Sequence, residues 1–332
     1  MGTVLITGSA GFIGFFVASS LLESGETVIG IDNFNSYYTP ELKRARTDIL
    51  RNYTNFVPLE MDLVERDAVK SCFAKYSPEI VFHSAAQAGV RHSLKNPHAY
   101  QQSNLEGFIN LIEEAKQTGI KRFVYASSSS VYGGNTKMPY AEDDPVNTPV
   151  SLYAATKRAN ELIAYTYTHL WNLQTIGLRF FTVYGPWGRP DMAYWSFLEA
   201  ILHDEPIKVF NFGKNRRDFT YIDEIVSGVI AALRSDRLEP YEIINLGNNT
   251  PVELMEFIEL LESFAGKKAI KEMVPPQPGD VVATYADITR AQSKLDFQPR
   301  TALKEGLERF VSWYLENRDL VRKVREFRRQ NK

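Results

Sequence analysis

The sequence predicts an α/β fold built on a doubly wound parallel sheet, because short apolar runs of strand type alternate with segments of helical periodicity. Strands that are joined through helices in this way lie parallel, with right-handed crossovers. The alternation stops after Gly185-Pro186, where the segments shorten and proline and glycine become more frequent. We therefore expect a smaller C-terminal α/β domain over residues 186–332, with residues 218–246 returning to the main sheet.

The predicted elements follow one another through the first half of the chain. Runs rich in β-branched and aromatic residues favour strands, whereas apolar residues spaced three and four apart favour helices. The predicted strands are Val4–Thr7, Thr27–Ile31, Asn55–Pro58, Glu79–Phe82, Arg122–Ala126 and Thr175–Arg179. The predicted helices are Phe12–Glu23, Asp67–Tyr76, Tyr100–Thr118 and Tyr153–Leu170.

Three glycines join the first predicted strand to the first predicted helix in the frame G-x-x-G-x-x-G. Gly8 permits a tight turn, Gly11 lets the backbone approach a pyrophosphate, and Gly14 lets the helix pack closely on the strand. The N-terminus of the helix offers free N–H groups to the phosphates. Strand, turn and helix together predict a Rossmann-type dinucleotide-binding unit.

An acidic residue, Asp32, ends the second predicted strand eighteen residues after the last glycine of that turn. A carboxylate there can accept hydrogen bonds from the adenosine ribose and would repel a 2′-phosphate, so NAD is favoured over NADP. Asp62 and Leu63 follow the third strand at the same sheet edge, where they can meet the adenine amine. The small residues Ala85 and Ala86 follow the fourth strand and let a cofactor lie against the backbone.

The fourth predicted helix begins with Tyr153 and Lys157 in the pattern Y-x-x-x-K. Residues four apart share a helix face, so both side chains point into one pocket. A lysine ammonium and a positive nicotinamide both favour the phenolate, so we expect the pKa of Tyr153 to be lowered towards working pH. Ser127–Ser130 end the fifth strand at the edge where ligands bind, and a serine hydroxyl there can share the proton of a reacting oxygen.

Composition excludes several classes of partner. The 332 residues carry a formal net charge of −2 and are 44% apolar, which gives no indication of a nucleic-acid or membrane partner. Cys72 is the only cysteine, and the five histidines show no ligand spacing, so we expect neither a disulfide nor a metal site. No secretory signal and no apolar stretch of about 20 residues is found, so we expect a cytoplasmic enzyme.

These residues resemble the extended short-chain dehydrogenase/reductase superfamily over nearly the whole chain, and its nucleotide-sugar branch most closely. Arg217–Asp223 (RDFTYID) resembles a segment of that branch whose arginine contacts the UDP diphosphate. Pro278–Asp280, followed by Ala286–Ile288, resembles a late segment whose aspartate holds the uridine ribose. Many relatives have arginine where this chain has Gln277, which leaves Arg217 as the expected phosphate ligand.

Three further segments resemble the UDP-glucuronate 4-epimerases of that branch: Tyr184–Ala193 (YGPWGRPDMA), Gly89–Arg91 and Asp32–Tyr38. Sugar-nucleotide 4,6-dehydratases have Thr-Asp-Glu where this chain has Ser128-Ser129-Ser130, and UDP-glucuronate decarboxylases have glutamate in place of Ser130. UDP-galactose 4-epimerases have asparagine in place of Thr182. A guanidinium after the sixth strand can grip a sugar carboxylate in a fork geometry, and we assign that role to Arg189.

The resemblance implies a set of site residues. The catalytic residues are Ser128, Tyr153 and Lys157. The residues expected to bind NAD are Gly8, Gly11, Phe12, Ile13, Gly14, Asp32, Asn33, Asn35, Ser36, Asp62, Leu63, Ala85, Ala86, Asn104, Tyr153 and Lys157. The residues expected to bind the UDP-sugar are Arg91, Ser128, Ser129, Ser130, Thr182, Arg189, Arg217 and Asp280.

The implied activity is NAD-dependent 4-epimerisation of UDP-glucuronate to UDP-galacturonate through a transient 4-keto sugar, in polysaccharide biosynthesis. Residues 1–185 would bind NAD and residues 186–332 the UDP-sugar. The resemblance also implies a homodimer that packs through the helices near Tyr100–Thr118 and Tyr153–Leu170. The alternatives are a UDP-glucuronate decarboxylase, a 4-epimerase of neutral UDP-hexoses and, from another class, a non-catalytic NAD-binding regulator.

Overall fold

The computed structural model describes residues 2–276 and 282–331, and strands and helices alternate through its first half. The strands are β1 (Thr3–Thr7), β2 (Thr27–Asp32), β3 (Phe56–Glu60), β4 (Ile80–His83), β5 (Arg122–Ser128), β6 (Thr175–Phe180), β7 (Thr182–Tyr184), β8 (Pro206–Phe210), β9 (Arg216–Tyr221), β10 (Tyr241–Leu246), β11 (Pro251–Glu253), β12 (Ile270–Val274) and β13 (Ala283–Thr284).

The α-helices are α1 (Phe12–Glu23), α2 (Pro40–Leu50), α3 (Arg66–Tyr76), α4 (Val90–Lys95), α5 (Pro97–Tyr100), α6 (Gly107–Thr118), α7 (Leu152–Trp171), α8 (Ala193–Leu202), α9 (Ile222–Arg234), α10 (Leu254–Ala265), α11 (Thr289–Leu295), α12 (Leu303–Glu316) and α13 (Arg318–Gln330). A π-helix spans Gln101–Glu106, and 3₁₀-helices span Ser129–Tyr132 and Asn211–Gly213.

The main sheet contains seven of the described strands, all parallel, in the spatial order β3-β2-β1-β4-β5-β6-β10. The chain runs outward from β1 to β3 and then returns to the other side of β1 with β4. The point where the strand order reverses therefore lies between β1 and β4, and a crevice for a ligand is expected there. This arrangement confirms the predicted doubly wound α/β fold.

Side chains on successive strand residues point to opposite faces of the sheet, and both faces are buried. Leu5 of β1 belongs to a hydrophobic cluster with α3, α6 and α7, whereas Val4 and Ile6 belong to a cluster with α1 and α9. The near-continuous apolar runs seen in the sequence follow from this double coverage, because a central parallel strand has no solvent-facing side.

The hydrophobic cluster that contains Val4 and Ile6 extends into the C-terminal half of the chain. Trp195 on α8 packs against Phe310 and Trp313 on α12, and all three belong to the cluster that covers the α1 face of the sheet. Strands β7, β11 and β13 pair with β9 in a small sheet, and β8 pairs with β12. Strand β10 lies beside β6 in the main sheet, and α9 packs on α1.

Two predicted elements differ from the structure in ways that affect the site. Strand β5 runs on to Ser128, so Ser127 and Ser128 are part of the strand and Ser129 opens the 3₁₀-helix that follows. The helix predicted over Tyr100–Thr118 contains the π-helix, because its backbone widens around Asn104. The carbonyl oxygen of Asn104 accepts a hydrogen bond from the Asn160 amide at 2.7 Å, which holds the widened turn against α7.

Candidate active site

A cavity of about 390 Å³ opens at the carboxyl ends of the parallel strands. Ligands bind at this edge in open α/β sheets, beside the point where the strand order reverses. The predicted site residues that line the cavity are Gly8, Gly11, Phe12, Ile13, Gly14, Asp32, Asn33, Asn35, Asp62, Leu63, Ala85, Ala86, Ser128, Ser129, Ser130, Tyr153, Lys157, Thr182 and Arg189.

The glycine turn after β1 leaves no room for side chains. Gly8 has a φ of 71°, which residues with a side chain rarely adopt. A Cβ on Gly14 would lie 2.1 Å from the carbonyl oxygen of Gly8, and a Cβ on Gly8 would lie 2.8 Å from the backbone nitrogen of Ala85. Helix α1 is N-capped by Gly11, so no side chain of the capping residue covers the N–H groups of its first turn. The turn thus has the close backbone and the donors that a pyrophosphate requires.

Asp32 lies at the end of β2 with its carboxylate fixed by two backbone N–H groups. Ala10 donates to Oδ2 at 3.2 Å and Phe34 donates to Oδ1 at 2.9 Å. Each carboxylate oxygen has a second acceptor position, and Asp32 lines the cavity. This geometry suits the two hydroxyls of an adenosine ribose.

The loop after β2 contributes polar groups, including a lysine that sequence reasoning missed. Asn33 donates to Oδ2 of Asp62 at 2.7 Å, which joins the loops after β2 and β3. Lys43 of α2 lines the cavity and donates to the Asn35 carbonyl at 2.9 Å and to its side-chain oxygen at 3.0 Å. Burial lowers the pKa of Lys43 to about 8. Ser36 lies in the same loop but not among the lining residues.

Asn104 holds the wall of the cavity and does not line it. Its side-chain oxygen accepts from the Gln87 backbone N–H at 2.8 Å, and its amide donates to the Gln87 carbonyl at 3.0 Å. The same amide donates to Oγ1 of Thr156 on α7 at 3.0 Å. Asn104 therefore fixes the loop after β4 relative to the helix that carries Tyr153 and Lys157.

Tyr153, Lys157 and Ser128 meet in the cavity. The side chain of Ser151 caps α7 by accepting from the Ala154 N–H, which places Tyr153 in the first turn. The Ser128 side chain is close enough to the Tyr153 hydroxyl to favour its ionised form. Lys157 is buried, and its Nζ donates to the Ala126 carbonyl at 2.8 Å. All three residues line the same cavity at the sheet edge, an arrangement that can transfer a proton to or from a ligand.

Burial works against the lowering of the Tyr153 pKa that we expect from Lys157 and a positive nicotinamide. Burial raises the pKa of the phenol, and the Ser128 side chain and the charge of Arg189 lower it by less. Burial also lowers the pKa of Lys157 to about 8, because an ammonium is costly in this surrounding. Desolvation thus outweighs the effect that the Y-x-x-x-K spacing alone predicts.

Arg189 brings a cation into the same cavity. A Cβ on Gly188 would lie 2.0 Å from the Tyr194 hydroxyl, which in turn accepts from the Arg189 backbone N–H at 3.0 Å. The guanidinium pairs with Asp191, and this pair holds the pKa of Arg189 above its ordinary value despite burial. Thr182, at the start of β7, lines the neighbouring wall.

Two of the residues assigned to the substrate, Arg91 and Arg217, do not line the cavity, and a third, Asp280, lies outside the described residues. Arg91 lies over the ring of Phe210, with 4.9 Å between the guanidinium carbon and the ring centre. Arg217 lies on β9 and donates to the carbonyls of Arg216 and Val282. Asp280 falls outside the described residues, as do Gln277, Pro278 and Gly279.

Asp218, next to Arg217, is a structural residue that the motif alone does not distinguish. It is fully buried and accepts backbone N–H groups from Asn248 at 2.6 Å, Asn249 at 3.1 Å and Ala286 at 3.0 Å. Burial raises its pKa to about 6, although these hydrogen bonds favour the carboxylate. Its position joins β9 to the segments on either side of it.

The described residues contain neither a cluster of metal ligands nor a membrane-spanning helix. Over 2–276 and 282–331, no three histidine, cysteine, aspartate or glutamate side chains come together as a metal site. In the same part of the chain, no helix is both long and apolar enough to cross a membrane.

Known proteins resemble this chain along its length. A protein of Methanocaldococcus jannaschii described as uncharacterized is 50% identical over 318 residues, which are 95% of this chain and 97% of that protein. UDP-glucuronate 4-epimerase of Thermodesulfobacterium geofontis is 45% identical over 326 residues, which are 98% of this chain and 100% of that protein.

A solved structure also matches this chain over nearly its whole length. The crystal structure of UDP-glucuronic acid 4-epimerase from Bacillus cereus, in complex with UDP-glucuronic acid and NAD, superposes with a TM-score of 0.89 at 33% identity. The match covers 95% of this chain and 99% of that one. Residues 4–247, which hold the main sheet and its cavity, match the NAD dependent epimerase/dehydratase family. The chain therefore belongs to that family.

Proposed function

We propose that this protein interconverts UDP-glucuronate and UDP-galacturonate by NAD-dependent epimerisation at C4 of the sugar. The observation that carries the proposal is that Arg189 lines the same cavity as Tyr153 and Ser128. A cation beside a proton-transfer group suits a sugar that bears a carboxylate. The names of the Thermodesulfobacterium and Bacillus relatives support the same activity.

The glycine turn and Asp32 fit NAD, since the turn has no room for a Cβ and the carboxylate is fixed towards the cavity. Lys43 and Asn33 extend this end of the site. When bound, NAD supplies a reversible hydride acceptor for C4 of the sugar. Residues 1–185, with 218–246, are proposed to hold NAD, and the rest of 186–332 to hold the UDP-sugar.

Tyr153 is proposed to take the proton of the C4 hydroxyl, with Ser128 sharing the hydrogen bond. Its phenol must ionise against burial, and a positive nicotinamide adds to the charge of Arg189 in favouring the phenolate. Lys157 would hold the nicotinamide ribose. Turning the transient 4-keto sugar over, with UDP as the anchor, would present the opposite face of C4 for return of the hydride, while Tyr153 gives the proton back to the C4 oxygen, and the product is the C4 epimer.

Arg189 is proposed to bind the sugar carboxylate, with Thr182, Ser129 and Ser130 as hydroxyl partners. The 4-keto sugar is a β-keto acid, which loses carbon dioxide when the carboxylate bond aligns with the ketone π system. Holding the carboxylate out of that alignment protects the intermediate. Ser130 stands where decarboxylases have glutamate, which favours epimerisation over carboxylate loss at this site.

The UDP end of the substrate is proposed to meet Arg217, Arg91 and Asp280. The first two are cationic and can pair with a diphosphate. Arg91 lies one residue after the lining residue Val90, and Arg217 lies on a strand that pairs with β7, whose first residue lines the cavity. The role of Asp280 rests on its sequence motif alone.

A homodimer is proposed through α6 and α7. Ile109 is 44% exposed, and on α7 Leu162, Leu170 and Trp171 are 52%, 58% and 48% exposed. Large apolar side chains clustered on an outer helix pair favour an interface. Light scattering coupled to size exclusion tests this: a mass near twice 37.8 kDa is expected, and a mass near 37.8 kDa at micromolar protein would contradict it.

The test of the activity is proton NMR of the purified protein mixed with UDP-glucuronate, first without and then with added NAD. Appearance of UDP-galacturonate is the expected result, and conversion without added NAD would also show that the cofactor is retained on purification. Formation of UDP-xylose or a 4-keto pentose would identify a decarboxylase instead. Conversion of UDP-glucose but not UDP-glucuronate would identify an epimerase of neutral sugars, and no conversion of either would favour a regulator.

A further inference from the structure

The guanidinium of Arg189 is held by the carboxylate of Asp191, which is itself held by the hydroxyl of Tyr37. Arg189 donates from Nε to Oδ1 of Asp191 at 3.1 Å and from Nη2 to Oδ2 at 2.6 Å. The Tyr37 hydroxyl donates to the same Oδ2 at 3.0 Å. Two parallel N–H···O bonds fix the plane of a guanidinium as well as its position.

The three residues come from two distant loops that meet over the cavity. Tyr37 lies in the loop after β2, between residues proposed to bind NAD, whereas Arg189 and Asp191 lie 152 and 154 residues further on, in the loop before α8. The Tyr37 hydroxyl also lies against Gly89, where a Cβ would come within 2.4 Å of it. The phenol therefore has little freedom to leave Asp191.

Arg46 fixes the backbone of the second loop. It is fully buried on α2 and donates to the carbonyls of Trp187 and Gly188, immediately before Arg189. It also donates to the Ala10 carbonyl in the glycine turn at 2.8 Å. Arg46 thus links the loop that carries Arg189 to the glycine turn after β1. The backbone on which Arg189 and Asp191 pair is therefore held in place.

The two sides of the Arg189 guanidinium face different surroundings. Arg189 and Tyr37 line the cavity, whereas Asp191 does not. The Nε and Nη2 edge is taken by Asp191, and Nη1 forms no hydrogen bond with any residue that the structure describes. Asp191 is not among the residues that line the cavity, and its two hydrogen bonds leave the edge formed by Nη1 and Nη2 for a ligand there.

We infer that Asp191 is a positioning residue for recognition of the substrate carboxylate, and that Tyr37 fixes Asp191 in that role. This inference rests on the proposed function, because it assigns the ligand of Arg189 as the sugar carboxylate. Asp191 orients the guanidinium so that its other edge meets the sugar, and it stays paired when the substrate binds. Selectivity for a uronate over a neutral sugar then depends on a residue that does not touch the substrate.

The opposite arrangement makes the opposite prediction. If Asp191 occupied the place of the substrate carboxylate and had to be displaced, removing its charge would free Arg189 and strengthen binding of UDP-glucuronate. If Asp191 orients Arg189, removing its charge weakens that binding. The direction of the change therefore decides between the two.

The test is calorimetric binding of UDP-glucuronate and UDP-glucose to the NAD-loaded wild type, to Asp191→Asn and to Tyr37→Phe. Loss of the charge from the Arg189–Asp191 pair predicts roughly 10- to 100-fold weaker binding of UDP-glucuronate by Asp191→Asn. Tyr37→Phe removes one hydrogen bond to the Asp191 carboxylate but leaves the pair itself in place, which predicts roughly threefold to tenfold weaker binding. Binding of UDP-glucose is expected to stay within about twofold in both variants. The matched control is Asp204→Asn, which removes a similar charge from an exposed pair with Lys267 and is expected to change neither affinity.

Tighter or unchanged binding of UDP-glucuronate by Asp191→Asn would overturn the inference, as would an equal loss for both sugars. If Asp191→Asn does not fold, the same comparison is made with Tyr37→Phe. An equal loss of affinity for UDP-glucuronate and UDP-glucose in that variant would overturn the inference. Failure of the proposed function has a different signature, because the wild type itself would then not convert UDP-glucuronate. If the variants bind UDP-glucuronate more weakly but UDP-glucose as before, and the wild type converts UDP-glucuronate, then both the inference and the proposed function are supported.

Discussion

Glu161 and Arg179 form a buried bidentate ion pair beneath the helix that carries Tyr153. Nε of Arg179 donates to Oε1 at 2.8 Å and Nη2 donates to Oε2 at 2.9 Å, and neither side chain is more than 2% exposed. Glu161 also accepts from Ser127 on β5 at 2.7 Å, next to Ser128. The pair therefore fixes α7 on β5 and β6, so that the tyrosine and the serine of the proposed proton-transfer group keep their separation.

Replacing Glu161 by methionine should strongly destabilise the fold, because Arg179 would be left buried without its carboxylate. We expect the free energy of unfolding to fall by about 3–5 kcal/mol, as measured by urea denaturation. The matched control is Glu60→Met, which breaks an exposed pair with Arg44 and should cost less than about 1 kcal/mol. Equal losses in the two variants would show that the buried pair has no special role.

Replacing Tyr153 by phenylalanine should remove the proposed proton acceptor without removing the binding site. We expect the rate of epimerisation to fall roughly 10²- to 10⁴-fold, with affinity for UDP-glucuronate within a few fold of the wild type. Tyr165→Phe on the same helix is the control, since that ring is 52% exposed. Retention of a tenth or more of the wild-type rate by Tyr153→Phe would assign the proton transfer to another group.

The sequence predicts the sheet and the position of most cavity residues for a simple geometric reason. In a doubly wound sheet, every residue that follows a parallel strand lies at one edge, so reading off strand ends brings Gly8, Asp32, Ala85 and Ser128 together. The helical spacing of four likewise places Lys157 with Tyr153. Local periodicity is enough for these inferences because each depends on one element and its end.

The rest depends on contacts between segments far apart in the chain, which periodicity does not report. Tyr37 and Asp191 are 154 residues apart, and nothing in either segment alone pairs them. Lys43 has the same local pattern as its exposed neighbour Arg44 on α2, and only the fold turns it inward. The pKa of Tyr153 is likewise set by burial, a property of the packed site.

Replacing Gly14 by alanine should expel the cofactor, since the added Cβ would lie 2.1 Å from the Gly8 carbonyl and the turn would have to move. We expect the purified variant to carry less than about a tenth of the wild-type NAD, a loss of binding of about 1.4 kcal/mol or more. Enzymatic assay of the nucleotide released on denaturation measures this. Gly134→Ala is the control, because its nearest neighbour, a Val150 methyl, lies 4.0 Å away; equal NAD contents in the two variants would contradict the assignment of the turn.

Replacing Lys157 by methionine should abolish activity and yet stabilise the fold at neutral pH. Lys157 is 2% exposed, and burial lowers its pKa from 10.5 to about 8, so holding the ammonium at pH 7 costs about 3 kcal/mol. Because its folded pKa lies below the unfolded value, the unfolded chain binds more protons between pH 8 and 10.5, and wild-type stability recovers as pH rises through that range. The stability gained by the variant should therefore be largest below pH 8 and shrink towards pH 10.5, as measured by urea denaturation of both proteins at matched pH. Two results would contradict this: a variant less stable than the wild type at pH 7, or a stability difference that does not change with pH. Either would mean that the hydrogen bond from Lys157 to the Ala126 carbonyl contributes more to stability than burial of the ammonium costs.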